Sequence, residues 1–108
     1  MRRLVLAIVA LLAVGSALHG QNNGAQLKRG EMLLARHCGA CHAVGRTGAS
    51  PRRLAMPFRD ISKHYAVESL EEALAEGLIS GHPEMPEFMF SADDVGAVIV
   101  YLKSIQAR

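Results

Sequence analysis

A chain of 108 residues with 12 basic and 10 acidic side chains is one domain's worth, and its formal charge of +2 makes no case for a nucleic-acid partner. It has no tryptophan and only 5% aromatic residues, so side chains alone build a marginal core at this size. Small exported domains in that position recruit disulfides, a metal or a cofactor.

The first element is a leader. Met1-Arg2-Arg3 is basic, Leu4 to Leu18 is apolar apart from Gly15 and Ser16, and Gln21-Asn22-Asn23 is polar. A basic start, a short apolar stretch and small residues before a polar one describe a secretory signal peptide over residues 1–20. The small-x-small rule favours cleavage after Ala17 over cleavage after Gly20. About fifteen apolar residues fall short of the ~20 that a membrane-spanning helix needs; retained, the segment would instead anchor the domain at a membrane surface. Residues 21–108 are then the functional domain, and the expected location is the periplasm. Losing Arg2 and Arg3 leaves ten basic against ten acidic residues, but these are segregated. Lys28, Arg29, Arg36, Arg46, Arg52, Arg53, Arg59 and Lys63 face only Glu31 and Asp60, whereas residues 64–102 hold eight acids and no Lys or Arg. Such blocks describe either solvated faces or a dipolar molecule steered by its basic side toward acidic partner surfaces.

Four helical segments follow, and no stretch alternates as a strand would. The first runs from about Ala25 to His37, with Leu27, Leu33 and Leu34 turned inward and Gly30 one turn before Leu34. Gly39, Gly45, Gly48 and Ser50-Pro51 mark a loop of about fifteen residues, a length that is uncommon in a compact domain unless something else organises it. A short helix covers Phe58 to Tyr65. Ser69-x-x-Glu72 reads as a capping box opening a third helix that ends at Gly81. Pro83 and Pro86 prevent helix across residues 81–86. Ser91 caps the last helix, with Asp93 and Asp94 in its first turn and an apolar stripe of Val95, Val98, Ile99, Leu102 and Ile105.

The chemistry lies in Cys38-Gly39-Ala40-Cys41-His42. Two cysteines three apart with a histidine immediately after is the spacing for covalent haem attachment. One helical turn brings both sulfurs to one side, where each forms a thioether to a haem vinyl group, and the histidine swings beneath to bind iron. A thiol oxidoreductase would call for a βαβ pattern, which is missing. A zinc site would need a fourth ligand, with His64 or His82 available, and a purely structural disulfide is the remaining alternative. For the sixth iron position, Met85 stands between Pro83 and Pro86 in a stiff loop that presents a side chain at little ordering cost. Met89, in Phe88-Met89-Phe90, reads better as core packing. Met32 lies too near Cys38 to reach the other haem face and reads as core or surface packing. His37, His64 and His82 are the histidine alternatives for that position, although His37 and His64 read better as surface or hydrogen-bonded residues.

These residues resemble a small bacterial class I cytochrome c over nearly the whole exported domain. Residues 38–42 end a first helix as in that family, residues 81–88 are similar to its distal methionine loop, and Ile99-Val100-Tyr101-Leu102-Lys103 resembles its last helix. The resemblance implies an all-α, cytochrome c-like fold of about four helices around one haem c, with Cys38 and Cys41 as tethers and His42 and Met85 as axial ligands. It also implies that Gly30 and Leu34 cross the last helix near Val98 and Tyr101. A proline beyond the attachment site should help supply a carbonyl to His42, and both Pro51 and Pro57 are available. With no tryptophan for a haem propionate, Arg46, Arg52, Arg53 and Arg59 are the candidates, and Met56 would pack on the haem edge. The expected function is single-electron carriage, without catalysis, between redox proteins such as a cytochrome complex, a terminal oxidase or a dehydrogenase. The alternatives are an electron-exit subunit of a dehydrogenase, or a five-coordinate haem enzyme or sensor of peroxidase or gas-binding type.

Overall fold

The computed structural model describes residues 23–78 and 83–108; the expected leader, and Gly81 and His82 of the methionine loop, lie outside these. The described residues are all-α. Helix α1 runs through residues 23–38, α2 is Leu70–Glu76 and α3 is Ala92–Ile105. Two 3-10 segments, Phe58–Lys63 and Val67–Ser69, lie between α1 and α2. No helix among the described residues is long and apolar enough to cross a membrane.

The dominant element is α3. Its apolar residues recur at helical spacing, and Val95, Ala97, Val98, Ile99, Tyr101, Leu102 and Ile105 are all buried. Ser91 caps it as the sequence indicates, its hydroxyl accepting from the Asp94 backbone N–H at 3.2 Å. Leu34 of α1, Ile61 and Val67 of the 3-10 segments and Leu74 of α2 close around that stripe.

Helices α1 and α3 cross at Gly30. A Cβ placed there would stand 2.8 Å from the Tyr101 Cβ and press into the Ala97 carbonyl. The contact is with backbone, so no side-chain rotation relieves it. Gly30→Ala is therefore expected to destabilise the fold by about 2 kcal/mol, because overpacking outweighs the ~1 kcal/mol gained in helix propensity. Thermal denaturation of the two proteins checks this, and an unchanged midpoint would deny the crossing.

Three sequence expectations need correction. The short second helix is 3-10 and stops at Lys63, leaving Tyr65 exposed. The apolar spacing of Phe58 and Ile61, three residues apart, suits either helix type. The capping box at Ser69 does not form: Ser69 has helical dihedrals and its hydroxyl donates to the Ala66 carbonyl at 2.6 Å. Helix α2 closes at Glu76, not at Gly81, because Gly77 takes φ 116°, a conformation that ends the helix and suits glycine.

Candidate functional site, a haem-attachment turn

The pentapeptide 38–42 forms where α1 runs out. The backbone N–H groups of Cys41 and His42 both donate to the Cys38 carbonyl, at 3.2 and 3.0 Å, so the chain curls in one tight turn past the helix end. Both thiols are free and half-buried. Burial, with the Cys41 charge adding, pushes the Cys38 thiol up to about 11, so it stays protonated near neutrality.

His42 is held on two sides. Its Nδ1 lies 2.7 Å from the Met56 carbonyl. A carbonyl only accepts, so Nδ1 carries the proton and Nε2 keeps its lone pair for another partner. Its ring stacks on Phe58, with centroids 4.7 Å apart and planes 24° apart. Of the two candidate prolines, it is Pro57 that follows the bonded carbonyl. A proline restricts the residue before it to extended backbone, which fixes the direction of that carbonyl.

Bonds within the loop and from Arg59 and Tyr101 organise the long loop 39–57. Ser50 Oγ accepts from the Ala43 N–H at 3.0 Å, Arg59 Nη1 donates to the Gly48 carbonyl at 2.7 Å, and Tyr101 Oη donates to the Val44 carbonyl at 2.7 Å. Phe58 N–H returns to the Ala43 carbonyl at 3.0 Å and Arg52 N–H to the Cys41 carbonyl at 3.1 Å. Tyr101 is thus more than a packing residue, and burial raises its phenol above the usual range.

Met85 is half-buried in the segment between α2 and α3. Its neighbour Glu84 pairs with Arg52 at 2.5 Å, which brings the methionine segment against the loop that follows His42. Further along, Phe90 N–H donates to the Leu74 carbonyl at 2.9 Å and Leu78 N–H to the Phe88 carbonyl at 3.4 Å. Met89 corrects the expectation of core packing: it is 70% exposed. Phe88 and Phe90 turn instead toward His37, at ring distances of 5.2 and 5.6 Å, so His37 is a half-buried packing residue rather than a surface one. Met32 is exposed, and Met56 packs on the core. Of the four arginines, Arg52 and Arg59 are engaged by Glu84 and Gly48.

The charge blocks are partly stitched together. Besides Arg52–Glu84, Arg29 meets Asp94 at 2.9 Å, and the hydrogen bond and charge of Arg29 hold Asp94 below the usual carboxylate range. Exposed pairs of this kind contribute little stability, but they reduce the charge separation read from the sequence.

Residues 25–102, from α1 to the last turns of α3, match the family described as cytochrome C oxidase, cbb3-type, subunit III. The chain belongs to that family. It is a monohaem class I c-type cytochrome domain. Neither a curated protein nor a solved structure is similar enough to match it.

The donor set of this cytochrome domain suits the group. Two free thiols stand within one turn, and the adjacent imidazole has its Nδ1 already bonded and its Nε2 available. A bare-metal site is less well served: among the described residues no three His, Cys, Asp or Glu side chains converge. The His42–Met56 bond was only half legible in the sequence, since a backbone carbonyl leaves no residue signature beyond the proline after it.

Proposed function

We propose that this cytochrome domain carries single electrons toward a terminal oxidase, outside the cytoplasm, with residues 1–20 as its export leader. When bound, haem c supplies a one-electron iron couple. Cys38 and Cys41 would hold it through thioethers, and His42 Nε2 and Met85 Sδ would hold its iron. The bond from His42 Nδ1 to Met56 fixes the tautomer and ring direction that an axial ligand needs, and that geometry carries the reading. Phe58 covers one face of the same ring and limits the approach of water. A Met85 thioether given to the iron would favour its reduced state and, with His42, would leave no place for substrate, which is why the reading is carriage and not catalysis.

The oxidase as acceptor rests on the family's description, which names an oxidase subunit. That same description supports a second reading, in which the domain stays bound to a larger redox enzyme as one of its subunits. Purification of the exported full chain from a host competent for haem attachment tests both. The expected product has the mass of the processed polypeptide plus one haem and shows the long-wavelength methionine-to-iron band when oxidised. Bare polypeptide would overturn the proposal. Elution as a free monomer supports the carrier, whereas co-elution with an oxidase supports the subunit.

A further inference from the structure

The residue that ends α3 sits far along the chain from the attachment turn, yet it is tied to it. Gln106 turns away from the helix with φ −59° and ψ 133°, and its amide is used at both ends. Nε2 donates to the Leu102 carbonyl at 2.7 Å and to the Phe58 carbonyl at 2.8 Å. Oε1 accepts from the Ser62 N–H at 2.8 Å. The next residue adds a fourth bond, Ala107 N–H to the Arg59 carbonyl at 2.8 Å. The last turn of α3 has carbonyls without helical partners, and the 3-10 segment has unpaired backbone groups of its own; one side chain serves both.

What Gln106 grips is the segment that shapes the surroundings of His42. Phe58, whose carbonyl it holds, stacks on the imidazole, and two residues earlier Met56 accepts from Nδ1. Pro57 lies between them with φ fixed at −61°, so Met56-Pro57-Phe58 behaves as one stiff unit. We propose that Gln106 is a positioning residue for His42: by clamping Phe58 it holds the Met56 carbonyl and the Phe58 ring against the imidazole, and so sets the strength of the Nδ1 hydrogen bond and the potential of the centre. The inference rests on the haem reading above. A strong bond from Nδ1 makes the imidazole a better donor and favours the oxidised state; a slack one shifts the balance toward the reduced state.

The test uses the haem-loaded full chain with Gln106→Leu, which removes all three side-chain bonds, and Gln106→Glu, which keeps an acceptor for Ser62 but loses both donations. Gln106→Leu should raise the reduction equilibrium constant about threefold, which is about 30 mV for a one-electron couple. Solvent exchange of the His42 Nδ1 proton, followed by NMR, should quicken by up to about tenfold. In a Phe58→Leu background the same substitution should still shift the potential, because the amide grips the backbone carbonyl of residue 58, which that change keeps. If Gln106→Leu gives no holoprotein, Gln106→Glu carries the test through the His42 Nδ1 proton, whose exchange should still quicken because the donation to Phe58 is lost. A lower thermal midpoint with unchanged potential and proton exchange would leave Gln106 a structural residue and overturn the inference. Wild-type chain recovered without haem would remove the haem reading itself, and the inference with it.

Discussion

Cys41→Ala is expected to lose most of its haem-loaded protein, with yield falling by at least about tenfold, and the remaining chain is expected to be poorly folded. One thioether is lost, and the polypeptide has little to fall back on. Val98 is the single large side chain wholly withdrawn from solvent among the described residues, and the buried set around it is mostly Val, Ile, Leu and Ala. Domains of this size keep only a few kcal/mol in hand, so a cofactor that supplies apolar surface decides whether the fold forms. Haem staining on a denaturing gel, with circular dichroism of the soluble fraction, reads both effects. A variant that melts cooperatively without haem would show that the cofactor is not part of the core.

Met85→Ala is expected to keep its haem and lower its potential, by something on the order of 0.2 V within the ~0.8 V that axial ligands command. Loss of the soft thioether removes its preference for reduced iron, and the vacated position should take up cyanide or carbon monoxide rapidly. The loop itself should survive. Glu84 still meets Arg52, and the Phe90-to-Leu74 and Leu78-to-Phe88 backbone bonds do not involve the Met85 side chain. An unchanged spectrum would move the ligand elsewhere. Met89 would then be the first alternative, since its exposure leaves the side chain free to turn, and Met89→Ala serves as the matched control.

The parts of this molecule that could be read from the sequence are those where side-chain pattern and backbone geometry coincide. Helix α3 was legible because its five-residue apolar stripe and its Ser91 cap both state where the helix begins and which face it hides. Gly30 was legible for a related reason, as a residue without a side chain facing a bulky partner, although the closest backbone is Ala97 rather than Val98. The attachment pentapeptide was legible because its chemistry depends on spacing alone. Where a hydroxyl or amide can choose between backbone partners, the pattern fails. Ser69 presents a capping-box sequence but bonds backward to Ala66, because the 3-10 segment Val67–Ser69 already places it in helical geometry. Phe88 and Phe90 alternate on either side of Met89 and face His37, so that an aromatic-flanked methionine points outward. Gln106 gave no signal: one polar residue after a last apolar one looks like any frayed terminus until the carbonyls it serves are seen.

Of the twelve buried apolar side chains among the described residues, seven come from α3, the last fourteen-residue helix. A chain whose last helix has yet to pack therefore has little to collapse upon, since α1, both 3-10 segments and α2 together contribute only four of them. Tight structure must wait until the tail arrives, and long-range closure of this kind is slow to begin. Until then the two sulfhydryls near the front are not shut in by the final helix, which is the state that the proposed attachment after export would need.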